Sequence, residues 1–133
     1  MSEIVVKASS TKQHYITDIT ADVHRFTVDE PLDKGGQNTA AKPSELLGAA
    51  LASCTSVTLE MYLTHKEWAY DKVEVEVNFD LITTEAITFK RHVVIKGNFD
   101  EKQQTRLLKV SNSCPIHKVL EKGHLIETTI AFI

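Results

Sequence analysis

The sequence has little of what marks nucleic-acid binding, secretion or membrane insertion. Its 133 residues carry a formal net charge of −3, and the longest basic run is the Lys-Arg pair at 90–91. A nucleic-acid-binding protein usually shows a basic patch or stripe. No uninterrupted apolar run approaches the roughly 20 residues of a membrane-spanning helix, and the N-terminal residues lack the apolar centre of a secretory signal. We therefore expect a cytoplasmic protein that binds neither nucleic acid nor membrane.

Cysteine is also scarce, since the chain contains only Cys54 and Cys114. Two cysteines do not make a disulfide framework, and a disulfide that forms in the cytosol is more often transient and catalytic than structural. The chain is long enough to bury a full hydrophobic core without a disulfide or metal. We therefore expect a single domain over residues 1–133.

The hydrophobic pattern predicts an α+β domain with antiparallel strands. Alternating apolar residues indicate strands, and helix-capping residues indicate where helices begin and end. The expected strands cover residues 3–8, 13–20, 22–28, 72–82, 87–99 and 125–133. The expected helices cover 44 to about 65–67, 100–113 and 114–123, with Asp100 capping the second and Gly123 closing the third. Residues 29–43 form a long loop.

The long helix that begins at Ser44 is apolar almost all round. Its sequence, "SELLGAALASCTSVTLEMYLTHK", places apolar or small residues over too wide an arc for one face. A soluble helix of this kind is normally buried on all sides. Because 133 residues have difficulty wrapping such a helix, the pattern favours a homodimer with the helix near the shared interface.

The two cysteines occupy different helical positions. Cys54 falls in the middle of the long helix. Cys114 precedes Pro115, which favours the first helical position, so Cys114 is expected near an N-cap, where a thiolate is stabilised. Three other interpretations stay open: each cysteine is a small buried hydrophobe; Cys54, Cys114 and His117 bind zinc but lack a fourth ligand; or the chain is a hydrolase, although it has no G-x-S-x-G motif.

Several stretches resemble the OsmC/Ohr family of osmotically inducible and organic-hydroperoxide-resistance proteins. They are "FTVDEP" at 26–31, the Gly pair at 35–36, "KPSELLGAALASCTSVTLEMYL" at 42–63 and "CPIHKVLEKG" at 114–123. The resemblance implies an OsmC-like fold, in which curved antiparallel sheets wrap around long central helices in an intertwined homodimer.

The resemblance also implies a chemistry. The best-known members of the family are thiol peroxidases that reduce organic hydroperoxides to alcohols. In that scheme Cys54 attacks the peroxide and becomes a sulfenic acid, and Cys114 condenses with it to a disulfide. A dithiol such as a dihydrolipoyl protein then reduces the disulfide. The scheme requires no metal and no other cofactor.

The match to the peroxidase members is incomplete beside the reactive cysteine. Those members carry a Glu directly after the proline that corresponds to Pro43, and that Glu orients an Arg against the cysteine. Here the position is Ser44, and Glu45 follows it, about 100° further round the helix. Arg25 is the only arginine before residue 91, and Lys34, in the long loop, is the other reasonable candidate for the cation.

Glu45 and Arg25 are therefore expected to be catalytic, but each residue also has a simpler structural interpretation. Glu45 can be an acid in the first helical turn that interacts with the helix dipole, and Arg25 can be a surface residue of a strand. The departure at Ser44 keeps two other functions open for the chain. One is a module that binds a small apolar or thiol-containing ligand, and the other is a redox sensor whose disulfide alters a partner interaction.

Overall fold

A computed structural model describes residues 3–81 and 86–133. The strands, in chain order, are β1 (Val6–Ser10), β2 (Thr17–Ala21), β3 (His24–Val28), β4 (Lys72–Asn78) and β5 (Lys90–Lys96). The helices are α1 (Pro43–Lys66), α2 (Glu101–Ser111) and α3 (Pro115–Leu120), and a short 3-10 turn covers Leu32–Lys34. The chain divides into two compact units, the first formed by residues 1–49 and 80–87 and the second by residues 50–79 and 88–133. The α+β class and the antiparallel pairing expected from the sequence are confirmed.

The first unit contains an antiparallel sheet in the order β1-β2-β3. Its register aligns Ala8, Ile19 and Phe26 across the three strands, and it aligns Thr20 with Arg25. Because successive side chains of a strand point to opposite faces, Phe26 lies on the apolar face and Arg25 on the polar one. The strand predicted at 22–28 is confirmed as β3, but its burial does not alternate, because every residue of β3 except Val28 is exposed.

Asp29 organises the loop that follows β3. Its side chain is fully buried and accepts backbone N–H groups from Tyr15 (3.3 Å), Glu30 (2.8 Å), Gln37 (3.2 Å) and Thr39 (3.0 Å). The Thr39 hydroxyl donates a further bond of 2.8 Å. The Thr39 backbone N–H is the main group that holds the Asp29 pKa far below its ordinary value, and the other donors outweigh the opposing effect of burial. A carboxylate therefore fixes the loop predicted at 29–43.

The second unit packs α1, α2 and the β4-β5 hairpin around an aliphatic core. Its centre contains Leu59, Leu63, Leu107 and Val110. Along both strands exposed side chains alternate with half-buried ones, so the predicted period of two is confirmed for residues 72–78 and 90–96. The Asp100 side chain caps α2 by accepting the Gln103 N–H at 2.8 Å, as the sequence predicts.

Helix α1 begins and ends as predicted, but it is not buried on all sides. The fully buried positions form one stripe that includes Leu51, Thr55 and Leu59, whereas Val57 is 49% exposed and Met61 68%. The expectation of burial on all sides is wrong for the single chain, because one copy supplies packing partners to only one face.

By length and composition α1 could also cross a membrane, since an 18-residue window has a mean hydropathy of 1.4 with 28% of it buried. Core helices of soluble proteins pass the same test of length and hydropathy, so this property of α1 is weak evidence for a membrane-spanning helix.

Two expectations for the C-terminal region are wrong. Residues 125–133 form no strand and are exposed, with Leu125 93% and Phe132 87% accessible. A strand requires a neighbouring strand for its backbone hydrogen bonds, and none of the strands in residues 3–81 and 86–133 pairs with this segment. Helix α3 ends at Leu120 with Glu121 as its C-cap, so Gly123 does not close it. The last turn already satisfies its carbonyls through the Glu121 and Lys122 N–H groups.

Candidate redox site

The second unit brings the two cysteines together. Cys54 lies near the middle of α1 and is partly buried, and Cys114 is fully buried at the N-cap of α3. The Cys114 sulfur accepts the backbone N–H of His117 at 3.4 Å, while Pro115 occupies the first turn. The predicted N-cap position of Cys114 is thus confirmed. The middle of α1 and the beginning of α3 thus bring into one site two thiols that are far apart in the sequence.

The two thiols influence each other's ionisation in opposite directions. Burial raises the pKa of Cys54, and the neighbouring Cys114 thiol raises it further, against smaller opposing effects from the Ile116 N–H and Thr58. Burial also opposes ionisation of Cys114, but the neighbouring Cys54 thiol, the His117 and Ile116 N–H groups and the nearby Thr55 hydroxyl hold its pKa below the ordinary value. When the reduced pair loses one proton, the negative charge is therefore favoured on Cys114.

Thr55 connects this pair to the rest of the site. Its side chain is fully buried, and its hydroxyl donates to the Leu51 carbonyl at 2.7 Å. The same oxygen accepts a hydrogen bond of 3.0 Å from Nη1 of Arg91. Because the residue directly follows Cys54, it links the arginine to the helical segment that carries the partly buried thiol.

Arg91 is the site residue that the sequence analysis missed. It lies on β5 with Val93 and Ile95 on the side that packs toward the core, and its Nη2 bonds to Oδ1 of Asn112 at 2.8 Å and to Nδ1 of His117 at 2.9 Å. The signal was available in "KRHVVIK", because the alternation that buries the two aliphatic side chains places the arginine on the same face.

His117 is held by both ring nitrogens. Since an arginine N–H can only donate, Nδ1 accepts from Arg91, and Nε2 faces the Glu121 carboxylate at 3.1 Å. These contacts assign the proton to Nε2 and occupy both positions that would bind a metal. The described residues contain no group of three histidine, cysteine, aspartate or glutamate side chains arranged to hold a metal ion. The zinc interpretation of Cys54, Cys114 and His117 therefore has no support here.

The other predicted site residues lie in the first unit. Glu45 is in the first turn of α1 and accepts the Lys42 N–H at 3.0 Å. Arg25 is on β3 opposite Thr20, and Lys34 ends the 3-10 turn. Ser44 is the second residue of α1. The contact of Glu45 is that of a helix-capping acid, and the catalytic roles of Glu45 and Arg25 stay predictions.

A groove of about 580 Å³ runs along β5 and α2 in the second unit. Its lining residues include Arg91, Ile95, Leu107 and Asn112. Neither cysteine is among the residues of the described chain that line this groove. It therefore reaches the arginine network of the redox site but not the sulfur atoms.

Comparison with known proteins agrees with this architecture. The family described as OsmC-like protein matches residues 36–129, which include α1 and both cysteines. No curated protein matches the chain in sequence.

Solved structures resemble the chain over most of its length. An OsmC-like protein from Mycoplasma pneumoniae is 19% identical, with a TM-score of 0.76 over 90% of this chain and 88% of its own. An organic hydroperoxide resistance protein from Elizabethkingia anophelis, with thiocyanate bound, is 21% identical, with a TM-score of 0.66 over 90% and 88%. An organic hydroperoxide resistance protein OsmC from Legionella pneumophila is 17% identical, with a TM-score of 0.64 over 90% of each chain. These structural similarities support the fold. Because the family match covers most of the sequence, the chain belongs to the OsmC-like protein family.

Proposed function

We propose that the protein is a thiol-dependent peroxidase that reduces organic hydroperoxides to alcohols. The observation that carries the proposal is that the segments of the two cysteines meet: Arg91 bonds to Thr55, which follows Cys54, and to Asn112 and His117, which flank Cys114. A partly accessible thiol beside a fully buried one matches the needs of a two-cysteine cycle. The first thiol must meet the peroxide, and the second must reach only the first.

The chemistry begins at Cys54. In the reduced pair the negative charge is favoured on Cys114, so the Cys114 thiolate acts as the base that takes the Cys54 proton while the Cys54 sulfur attacks the terminal oxygen of the hydroperoxide. The O–O bond breaks, and the alkoxide takes the proton from Cys114 to become the alcohol, which leaves Cys54 as a sulfenic acid and Cys114 as a thiolate again. The Cys114 thiolate then attacks the Cys54 sulfur, hydroxide leaves and is protonated to water, and a disulfide remains. A dithiol such as a dihydrolipoyl protein supplies the electrons that restore both thiols.

The active form in this proposal is a homodimer. Val57 and Met61 expose apolar side chains on α1, and the unpaired segment 125–133 exposes Leu125, Ile130 and Phe132. Burying each such side chain stabilises an assembly by about 1.5–3 kcal/mol. A second copy of the chain supplies a helix to cover α1 and strands to pair with residues 125–133. The cycle also requires reduced thiols at rest, which agrees with a cytoplasmic location.

Steady-state peroxide consumption tests the proposal. With cumene hydroperoxide and a dithiol reductant, we expect turnover by the unaltered protein and none by Cys54→Ser. Cys114→Ser is expected to consume one equivalent and stop at a sulfenic acid that dimedone traps. Ser53→Ala serves as the matched control, because it alters an exposed neighbour on the same helix. Equal turnover by Cys54→Ser and the unaltered protein would refute the peroxidase.

The mass in solution tests the homodimer. Light scattering is expected to give twice the chain mass of 14.9 kDa. Val57→Glu places a charge in the proposed interface and is expected to yield monomer, whereas Glu60→Gln, an exposed change on the same helix, is expected to leave the dimer intact. A monomeric unaltered protein would contradict this part of the proposal.

A further inference from the structure

We propose that Arg91 is a positioning residue for the step in which the two cysteines form their disulfide. Its guanidinium joins the helical segment that carries Cys54 to the turn that carries Cys114. This inference rests on the proposed cycle and adds a residue to it that lies on β5, in neither of the segments that carry the cysteines.

The three contacts of Arg91 are with residues that lie close in sequence to the two cysteines. On one side Nη1 donates to the hydroxyl of Thr55, the residue after Cys54. On the other side Nη2 donates to Asn112 and His117, which stand two residues before and three residues after Cys114. One rigid group is thus bonded to side chains beside both cysteines, so a change in its position is expected to alter the separation of the two sulfurs.

An arginine fits this role better than a lysine does. Its planar guanidinium presents N–H groups in a fixed fork, whereas an ammonium group is a point charge on a flexible stem. The three acceptors are a hydroxyl, an amide oxygen and an imidazole nitrogen, so none of them neutralises the cation. In the part of the chain that the structure describes, the ion pairs do not include Arg91. Among the described residues, no carboxylate therefore neutralises its positive charge.

The consequence concerns the fate of the sulfenic acid. After the first step, Cys54 either forms the disulfide or reacts with a second peroxide to give a sulfinic acid. Formation of the disulfide depends on alignment of the two sulfurs, and a misplacement of about 1 Å can slow an aligned reaction by about 100-fold. The first attack depends on Cys54 and the peroxide. Loss of the arginine contacts is therefore expected to slow the second step far more than the first.

The test compares Arg91→Lys and Asn112→Ala with a matched control. Asn112 is exposed, so its substitution removes one arginine contact without disturbing the core. Arg106→Lys is the control, because this second arginine of the unit bonds to the Tyr62 hydroxyl at 3.0 Å. Mass spectrometry after graded cumene hydroperoxide gives the ratio of sulfinic acid to disulfide. We expect that ratio to rise about 10-fold in Arg91→Lys, less in Asn112→Ala and not at all in Arg106→Lys, with an unchanged rate of first attack.

A second arm separates this inference from the peroxidase itself. Equilibration with reduced and oxidised glutathione measures how readily the two cysteines pair, without any peroxide. We expect the disulfide of Arg91→Lys to be reduced at a concentration of reduced glutathione about 10-fold lower than the concentration that reduces the disulfide of the unaltered protein. If the unaltered protein consumes no peroxide, the proposed function fails while this arm still decides the role of Arg91. Unchanged glutathione equilibria and unchanged sulfinic ratios in both Arg91→Lys and Asn112→Ala would overturn the inference.

Discussion

Replacing Thr55 by valine removes the hydroxyl that links the thiol pair to Arg91 and keeps the shape of the side chain. The lost contacts are the hydrogen bond to the Leu51 carbonyl and the one from Nη1 of Arg91. In a helix the Leu51 carbonyl keeps the backbone N–H of residue 55 as a partner, so the loss of the first bond costs little.

The bond from Arg91 sets the magnitude. A hydrogen bond to a charged group contributes about 1.5–3 kcal/mol to stability. The arginine is only half-buried, so water replaces part of the bond, and the added methyl group gains some burial. We therefore expect Thr55→Val to lower the free energy of unfolding by about 1–2 kcal/mol. Because the hydroxyl is one of the groups that lower the Cys114 pKa, that pKa is also expected to rise.

Urea unfolding and thiolate absorbance as a function of pH measure both effects. Thr64→Val is the matched control, since it makes the same change at an exposed position of the same helix and is expected to alter stability by less than about 0.5 kcal/mol. If Thr55→Val matched Thr64→Val in stability and left the ionisation of the thiols unchanged, the described link between the arginine and the pair would be wrong.

Three further outcomes are expected from unfolding measurements. Leu59→Ala should lower the free energy of unfolding by about 2–5 kcal/mol, because it opens a cavity among fully buried side chains; a loss below 1 kcal/mol would contradict the packing around α1. Asp100→Ala should cost about 0.5–2 kcal/mol through loss of the α2 cap, and Asp100→Asn should restore most of it. The Thr39 backbone N–H and other donors hold the Asp29 pKa below its unfolded value of about 3.9. The contribution of Asp29 to the free energy of unfolding is therefore complete above that pH and is lost as pH falls toward the folded pKa. Asp29→Asn should therefore show a weaker loss of stability below about pH 4, and parallel pH profiles would contradict this account.

The local features of the fold could be predicted from the sequence. The bounds of α1, the Asp100 cap and the N-cap position of Cys114 depend on residues a few positions apart, and the structure has each of them. The half-burial of residues 72–78 and 90–96 follows from alternation within each strand. Such features are decided by backbone geometry and nearby side chains, which the sequence displays directly.

Features that depend on distant partners could not be predicted in the same way. The alternating residues 125–133 carry a strand pattern, but a strand also requires a neighbour, and the described part of the single chain offers them none. Arg91 belongs to the site because of acceptors that lie 21, 26 and 36 residues away along the sequence. The buried carboxylate of Asp29 likewise depends on donors spread from Tyr15 to Thr39. Only packing in three dimensions brings such groups together.

The most direct test of the peroxidase is a count of free thiols before and after one equivalent of cumene hydroperoxide is added to the fully reduced protein. The account predicts that both thiols of each chain disappear together and that mass spectrometry shows an intramolecular bond between Cys54 and Cys114. It also predicts that the organic peroxide acts faster than hydrogen peroxide. Two free thiols per chain after hours with the organic peroxide would contradict the account.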